Sequence, residues 1–364
     1  MYLKRLFLLN YRNVAQAEME LSPRINCFLG SNGMGKTNVL DAIHYLSFCR
    51  SSLNPSDSMV IKHGADCMML QGVYCMDNGE TVEISCSLKP GSRKQFRRDR
   101  KDYRRFSDHI GLVPLVMISP DDMLLLTGGS DERRRFMDVV ISQYDREYLG
   151  YLIDYNKALA QRNALLKADG EPDRELFLMW ETVMDRCAAL IYERRREFIG
   201  RIVPHFQDIY SRIGAEGESV GLAYTSDLER GALSDMLEAY RPKERIVGYT
   251  LHGVHRDDIV MTLGGYPIRR EGSQGQNKSY LTALKLAQYL YLTVACGGKR
   301  PLLLLDDLFD RLDADRVSRI LEVVSGDAFG QIFITDVKRS HVDAMLGVLG
   351  SDFRIFTIAD GSVE

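Results

Sequence analysis

Residues Gly30-Ser31-Asn32-Gly33-Met34-Gly35-Lys36-Thr37 match the phosphate-binding pattern G-x-x-x-x-G-K-[ST] in full. Each fixed residue type has a task in that chemistry. Glycines let backbone N–H groups turn inward on phosphate oxygens, the lysine ammonium reaches the β- and γ-phosphates, and the threonine hydroxyl is a hard oxygen ligand for Mg²⁺. Far downstream, Pro301-Leu302-Leu303-Leu304-Leu305-Asp306-Asp307 is an apolar run closed by two acids. In a phosphate-loop fold the first acid, Asp306, stands beside the γ-phosphate and Mg²⁺, and the second, Asp307, orients the attacking water. The other reading is a buried strand whose acids only cap the next helix. A third polar group, Gly272-Ser273-Gln274-Gly275-Gln276, heads a helical stretch from Asn277. It offers a hydroxyl and backbone N–H groups where a helix N-terminus favours anions, although such a turn also serves as a plain cap. The combined expectation is ATP held by residues 30–37, with Mg²⁺ on Thr37 and Asp306.

These groups work only if the right elements deliver them. Arg24 to Leu29 is an apolar run of strand length, and Val39, Leu40, Ile43 and Leu46 give the residues after the loop a helical face. Two strands of a meander are expected over 2–15 and 16–21, then mostly short strands over 59–118, including 68–74 and 81–88 around an Asp77-Asn78-Gly79 turn. From Ser130 the apolar spacing turns helical and runs to Leu159; Ala168 to Pro172 breaks it, and a second long helix, bent at Pro204, is expected from Asp173 to about Ile213. A β-hairpin around Gly264-Gly265 follows, then helix 274–296, strand 302–305, helix 314–324, strand 331–335 and a closing strand 354–358. The expected fold is therefore an α/β phosphate-loop head, residues 1–129 and 249–364, split by an inserted, mainly helical arm at 130–248.

The chain's 364 residues and 45% hydrophobic content suffice for two such bodies. No run of eighteen apolar residues is present, which excludes a membrane-spanning helix. The N-terminus alternates instead of forming a signal peptide's apolar block. Seven scattered cysteines without a C-x-x-C pair read as reduced thiols of a cytoplasmic protein. A net charge of −3 argues for no polyanion partner by itself, but the charge is patchy. Arg93, Lys94, Arg97, Arg98, Arg100, Lys101, Arg104 and Arg105 crowd into Gly91–Arg105, with Phe96 and Tyr103 interleaved. This reads as a stripe that tracks DNA phosphates, with Arg97, Arg98, Arg100 and Lys101 at its centre, or as a solvated strand pair. Arg133–Arg135 is a further candidate; Arg194–Arg196 reads better as a helix face paired with Glu193 and Glu197. Trp180 shares helical spacing with Phe177 and Met184, which favours core packing. No base-reading motif appears, so DNA would be bound by shape and backbone.

The Ser273 segment, some thirty residues before the acids, resembles the LSGGQ signature of ABC-type ATPases. That resemblance implies that Ser273, Gly275 and Gln276 address the nucleotide held by a second subunit, in a two-fold, head-to-tail dimer sandwiching two ATP molecules. Asp310-Arg311-Leu312-Asp313 fits the partner-facing loop after the acids. Three positions depart from the pattern. Gly272 replaces the leucine before the serine, and Asp307 replaces a glutamate, which predicts slow hydrolysis. Asp336 stands where a switch histidine is common, with His341 five residues on. Asn10-Tyr11-Arg12-Asn13-Val14, Asn38 to Ile43, Ser119 to Met123, Arg133 to Asp138, His255 to Asp258, and Gln276 to Lys278 with Ala283 to Ala287 narrow the resemblance to the bacterial RecF family, relatives of SMC heads. Gly253-Val254 departs from that family's usual Gly-Pro. The resemblance implies a DNA-repair ATPase, stimulated by DNA, that acts with RecR and RecO to load RecA at single-strand gaps and supports replication restart and the SOS response. Two rivals remain: the nucleotide-binding subunit of a transporter, for which the insertion between Lys36 and Ser273 is superfluous, and a non-hydrolysing nucleotide switch.

Overall fold

The computed structural model describes residues 1–53, 56–168, 170, 174–215, 217–308, 314–337 and 352–364. Asp310 to Asp313, His341 and most of the 168–172 break lie outside the described residues. The chain divides into two compact units, Met1–Asp122 with Arg212–Gly214 and Lys278–Glu364, and Met123–Ser211 with Ala215–Asn277.

The first unit opens with β1 (Tyr2–Tyr11), β2 (Val14–Glu20), β3 (Ile25–Leu29), α1 (Lys36–Phe48), β4 (Met68–Cys75), β5 (Thr81–Leu88), β6 (Gln95–Arg98), β7 (Lys101–Asp102) and β8 (Leu115–Ile118). Every second residue of β4 and β5 is buried, the mark of an antiparallel sheet with one face on a core. That sheet runs β2-β1-β4-β5-β6-β7. The β1–β2 turn falls at Arg12-Asn13, ahead of the Ala15 boundary expected from sequence, because Tyr11 pairs directly with Val14.

The second unit contains α2 (Leu124–Thr127), α3 (Ser130–Ile141), α4 (Arg146–Lys167), α5 (Arg174–Ile213) up to Ser211, β9 (Val220–Thr225), α6 (Leu233–Val247), β10 (Asp258–Leu263), β11 (Tyr266–Pro267), α7 (Ile268–Glu271) and the first turn of α8 (Gln274–Ala295). The single helix expected from 130 to 159 is two helices. Asp145 adopts extended backbone, and its carboxylate accepts the Tyr148 N–H at 2.8 Å, which starts α4 afresh. The expected hairpin around Gly264-Gly265 is short, since α7 takes over at Ile268; its partner β9 carries no clear sequence signal. That pairing carries residues 258–263 into the second unit. Two buried arginines organise the helices. Arg162 meets Glu181 at 2.9 Å and Glu244 at 2.7 Å, and Arg195 meets Asp138 at 2.9 Å and Asp257 at 2.7 Å. Removing one member of such a pair strands a buried charge, at about 3–5 kcal/mol. Trp180 is only partly buried, whereas Phe177 and Met184 are core residues.

The chain returns to the first unit with β12 (Leu302–Leu305), α9 (Ala314–Ser325), β13 (Ile332–Asp336), β14 (Phe353–Ala359) and β15 (Ser362–Val363). The second sheet of this unit runs β15-β14-β3-β13-β12-β8, parallel throughout except for β15. Its central strands are buried along their whole length, which is why they read as unbroken apolar runs. Phe28, Leu302, Leu304 and Phe333 of this sheet share one core with Leu6, Leu8 and Ile84 of the antiparallel sheet. β13 lies between β3 and β12, so the loops leaving β3 and β12 flank its last residues, where α/β sheets hold ligands.

Candidate nucleotide site

The loop after β3 is shaped by two left-handed glycines, Gly33 (φ 82°) and Gly35 (φ 111°). Gly35 also admits Asn13: a Cβ on it would lie 2.6 Å from Asn13 Oδ1. Asn13 Nδ2 donates to the Met34 carbonyl at 2.9 Å, and Asn38 Nδ2 donates to Asn13 Oδ1 at 2.7 Å, so the β1–β2 turn braces both the loop and the helix after it. α1 begins at Lys36 with no side-chain cap and no acid in its first turn, which leaves its N-terminal N–H groups for an anion. The buried Lys36 Nζ donates to the carbonyls of Gly30 (2.8 Å) and Ser31 (3.1 Å) and keeps a third donor.

Thr37 and Asp306, 269 positions apart, meet here: the Thr37 hydroxyl donates to Asp306 Oδ1 at 3.0 Å. A second hydroxyl, from Thr335 at the end of β13, donates to the same oxygen at 2.8 Å. Thr335 Oγ1 also accepts the Asp307 N–H at 2.9 Å, and Asp307 sits in left-handed backbone (φ 44°). Burial raises the pKa of Asp306, and the Thr335 and Thr37 hydroxyls offset part of that effect. A buried carboxylate next to a threonine hydroxyl is an all-oxygen donor set that suits Mg²⁺, so these residues fit the metal expected of them. Asp336, in place of a switch histidine, is buried at the end of β13.

Ser273, Gly275 and Gln276 belong to the second unit. The Ser273 hydroxyl accepts the Gln276 N–H at 3.2 Å, and Gln276 Oε1 accepts the Ser273 N–H at 2.8 Å, a reciprocal capping box at the start of α8. Gln276 Nε2 donates onward to Glu218 at 2.6 Å. Ser273 and Gln274 remain exposed. The glycine in place of the signature leucine has a local cause, since a Cβ on Gly272 would come within 2.4 Å of Asn277 Oδ1 and 2.8 Å of the Ile268 carbonyl.

Comparison with known proteins points to one family. The family described as "RecF/RecN/SMC N terminal domain" matches residues 2–357. The DNA replication and repair protein RecF of Phocaeicola vulgatus is 55% identical over 363 residues, covering 100% of this chain and 98% of that protein. The chain belongs to the RecF family. RecF of Porphyromonas gingivalis is 46% identical with full coverage of both chains. Among solved structures, the recombination mediator protein RecF bound to ATP, from the RecFOR pathway, superposes with a TM-score of 0.88 at 27% identity, over 100% of this chain and 97% of that one. The Smc head domain of Pyrococcus furiosus matches in fold, with a TM-score of 0.59 at 17% identity, over 100% and 95% of the two chains. The fold is thus that of an ABC-type, SMC-like P-loop ATPase, mixed in helix and sheet.

Family motifs that lack obvious chemistry turn out to be braces. In the first, Tyr11 (2.7 Å) and Arg12 (3.0 Å) both donate to Asp41 of α1. Burial alone would raise the pKa of Asp41, but the Tyr11 hydrogen bond, the Arg12 charge and Ser52 hold it below the ordinary range. In the second unit, Arg133 forks onto Asp258 (3.0 Å for one arm), Arg134 donates to the Asp257 carbonyl at 2.8 Å, and His255 pairs with the Tyr155 hydroxyl at 2.7 Å. Arg133 and Arg134 are thereby engaged internally, as is buried Arg195; Arg194 pairs with Asp145 at 2.9 Å and Glu197 at 3.5 Å.

The basic stripe forms the β6–β7 hairpin at the sheet edge, with Asp99 and Arg100 both left-handed in a two-residue turn. Phe96 is buried, Tyr103 is half-buried, and the Lys94 ammonium is taken up by the Cys49 carbonyl (2.6 Å) and Asp57 (2.7 Å). Arg97 pairs with Asp102 at 2.9 Å and Arg98 with Asp99 at 3.5 Å. Among the described residues, exposed Arg100, Lys101, Arg104 and Arg105 have no carboxylate partner. Sequence reasoning misses two residues of the site, Thr335 and Asn13. Asn13 lies within a family motif, but Thr335 carries no signal beyond its place at the end of an apolar run.

Proposed function

We propose that the chain is an ATP-dependent DNA-binding protein of recombinational repair, a slow ATPase stimulated by DNA. The observation that carries the reading is the meeting of Thr37 and Asp306 beside Lys36. Residues 30–37 bind the phosphates of ATP, and Thr37 and Asp306 hold Mg²⁺. Bound there, the metal would offset charge on the β- and γ-phosphates. Asp307 positions the attacking water, and its short side chain keeps turnover slow. Ser273 and the α8 N-terminus, with Gly275 and Gln276, meet the γ-phosphate held by a second copy. ATP thus closes a homodimer of heads, with the inserted residues 130–248 acting as arm.

In this reading the closed dimer grips DNA at single-strand gaps bordered by duplex, using Arg97, Arg98, Arg100 and Lys101, without sequence preference. Hydrolysis releases it. With RecR and RecO, in the cytoplasm, the protein promotes RecA loading, replication restart and SOS induction. The support is family membership, together with the RecFOR pathway and the ATP that describe the matched structure. Among the described residues no helix is long and apolar enough to cross a membrane.

The test is Lys36→Met. Removing a charge-assisted bond to phosphate is expected to weaken ATP binding by about tenfold to a hundredfold with the melting temperature retained. Titration of a fluorescent ATP analogue checks it. Unchanged affinity in a folded Lys36→Met protein would end the reading.

A further inference from the structure

We infer that Thr335 is a positioning residue for hydrolysis, whose one hydroxyl sets both acids at once. The inference rests on the ATPase reading above. Thr335 is fully buried at the end of β13, the strand between the one that delivers the phosphate loop and the one that delivers the acids. Its proton goes to Asp306 Oδ1 at 2.8 Å, and its lone pair receives the Asp307 N–H at 2.9 Å. A hydroxyl has one donor and two acceptor sites, so a single atom can make both bonds. Each bond has a separate consequence.

On Asp306, Thr335 and Thr37 both donate to Oδ1. This fixes the rotation of the carboxylate and leaves Oδ2 for other partners, the metal among them. On Asp307, the bond anchors a backbone in the left-handed region, which residues other than glycine adopt infrequently, Asp and Asn more readily than most. Without the anchor, the peptide between the two acids loses one of its restraints, and the Asp307 carboxylate is held less firmly in the place where it would orient water. A misdirected group of this kind costs rate more than binding.

The chemistry is unusually specific in what it demands of residue 335. Valine keeps the shape and the β-branched fit to the strand but has neither donor nor acceptor. Serine keeps the hydroxyl and loses only a methyl group. Glycine or alanine would confound the test by opening a cavity in a buried strand.

The experiment measures steady-state ATP hydrolysis as a function of Mg²⁺, together with nucleotide affinity in EDTA, for wild type, Thr335→Val, Thr335→Ser, Asp306→Asn and the double variant Thr335→Val/Asp306→Asn. Thr335→Val is expected to lower kcat by about tenfold to a hundredfold and to raise the Mg²⁺ concentration needed for half-maximal rate, because the hydrogen bonds that set the Asp306 carboxylate and the Asp307 backbone are removed. Its metal-free nucleotide affinity should match wild type. Thr335→Ser should restore kcat to within about threefold of wild type, a difference near the scatter of mutational effects. On the Asp306→Asn background, Thr335→Val should have no further effect on the Mg²⁺ requirement.

Wild-type kinetics in Thr335→Val would overturn the inference while leaving the ATPase reading intact. So would equal losses in the Val and Ser variants with an unchanged Mg²⁺ profile, which would mark the residue as a filler of space. Failure of the wild-type protein itself to bind or hydrolyse ATP would instead remove the ATPase reading on which the inference stands.

Discussion

Asp306 is an ionisable group kept where its charge costs stability. Burial raises its pKa, and the hydroxyls of Thr335 and Thr37 compensate in part. A carboxyl whose folded pKa lies above its unfolded value holds its proton more tightly when folded, so ionisation destabilises the fold at every pH above the unfolded value. Asp306→Asn removes that cost. Without nucleotide or metal, it is expected to melt above wild type at pH 7, with the gain fading as pH falls toward the ordinary carboxyl range of about 4. Thermal melts across that range check it, and a lower melting temperature at neutral pH would show that Asp306 is not held against its ionisation. Lys36, Thr37 and Asp306 are legible in the sequence because their chemistry needs fixed types at fixed spacing. Thr335 is not, because a threonine inside Ile332–Asp336 reads as one more β-branched strand former. What gives it a role is the insertion of β13 between β3 and β12, a pairing of distant segments that no local pattern encodes.

At the scale of elements, the β6–β7 hairpin buries Phe96 while Arg98, Arg100 and Lys101 stay exposed. The interleaved aromatics are therefore core anchors, and Phe96 is not a platform for stacked bases. Replacing Arg97, Arg98, Arg100 and Lys101 by Ala changes one turn residue, Arg100, but leaves the buried Phe96 that anchors the hairpin in place. Duplex binding should weaken, and the slope of log affinity against log salt should fall by up to about 0.9 for each phosphate that is no longer neutralised. Fluorescence anisotropy over a salt series measures this; an unchanged slope would place DNA on another surface. Element type is readable where a period is clean, as in β4 and β5, or where an apolar run is short and bounded, as in β12. The break between α3 and α4 is hidden by apolar spacing that runs through it. It depends on one capping carboxylate, Asp145, which outcompetes helix continuation.

For the whole molecule, the decisive residues lie in different parts of the chain. The loop and acids belong to one compact unit, and Ser273 belongs to the other. The proposed dimer explains why an exposed serine should matter: in a two-fold pair each nucleotide would meet one subunit's loop and its partner's α8 N-terminus. In that proposed pair ATP would bridge two surfaces that ADP would not, and only such a differential interaction can shift monomer toward dimer. Ser273→Arg puts bulk and charge at that junction. It also removes a helix cap worth about 1 kcal/mol, so ATP binding by the monomer serves as the control for folding. The measurement is sedimentation velocity of wild type and Ser273→Arg with ATP, with ADP and without nucleotide. Wild type is expected to dimerise with ATP alone, and Ser273→Arg to bind ATP yet stay monomeric under all three conditions. ATP-dependent dimers of Ser273→Arg indistinguishable from wild type would contradict both the role of Ser273 and the sandwiched-nucleotide dimer.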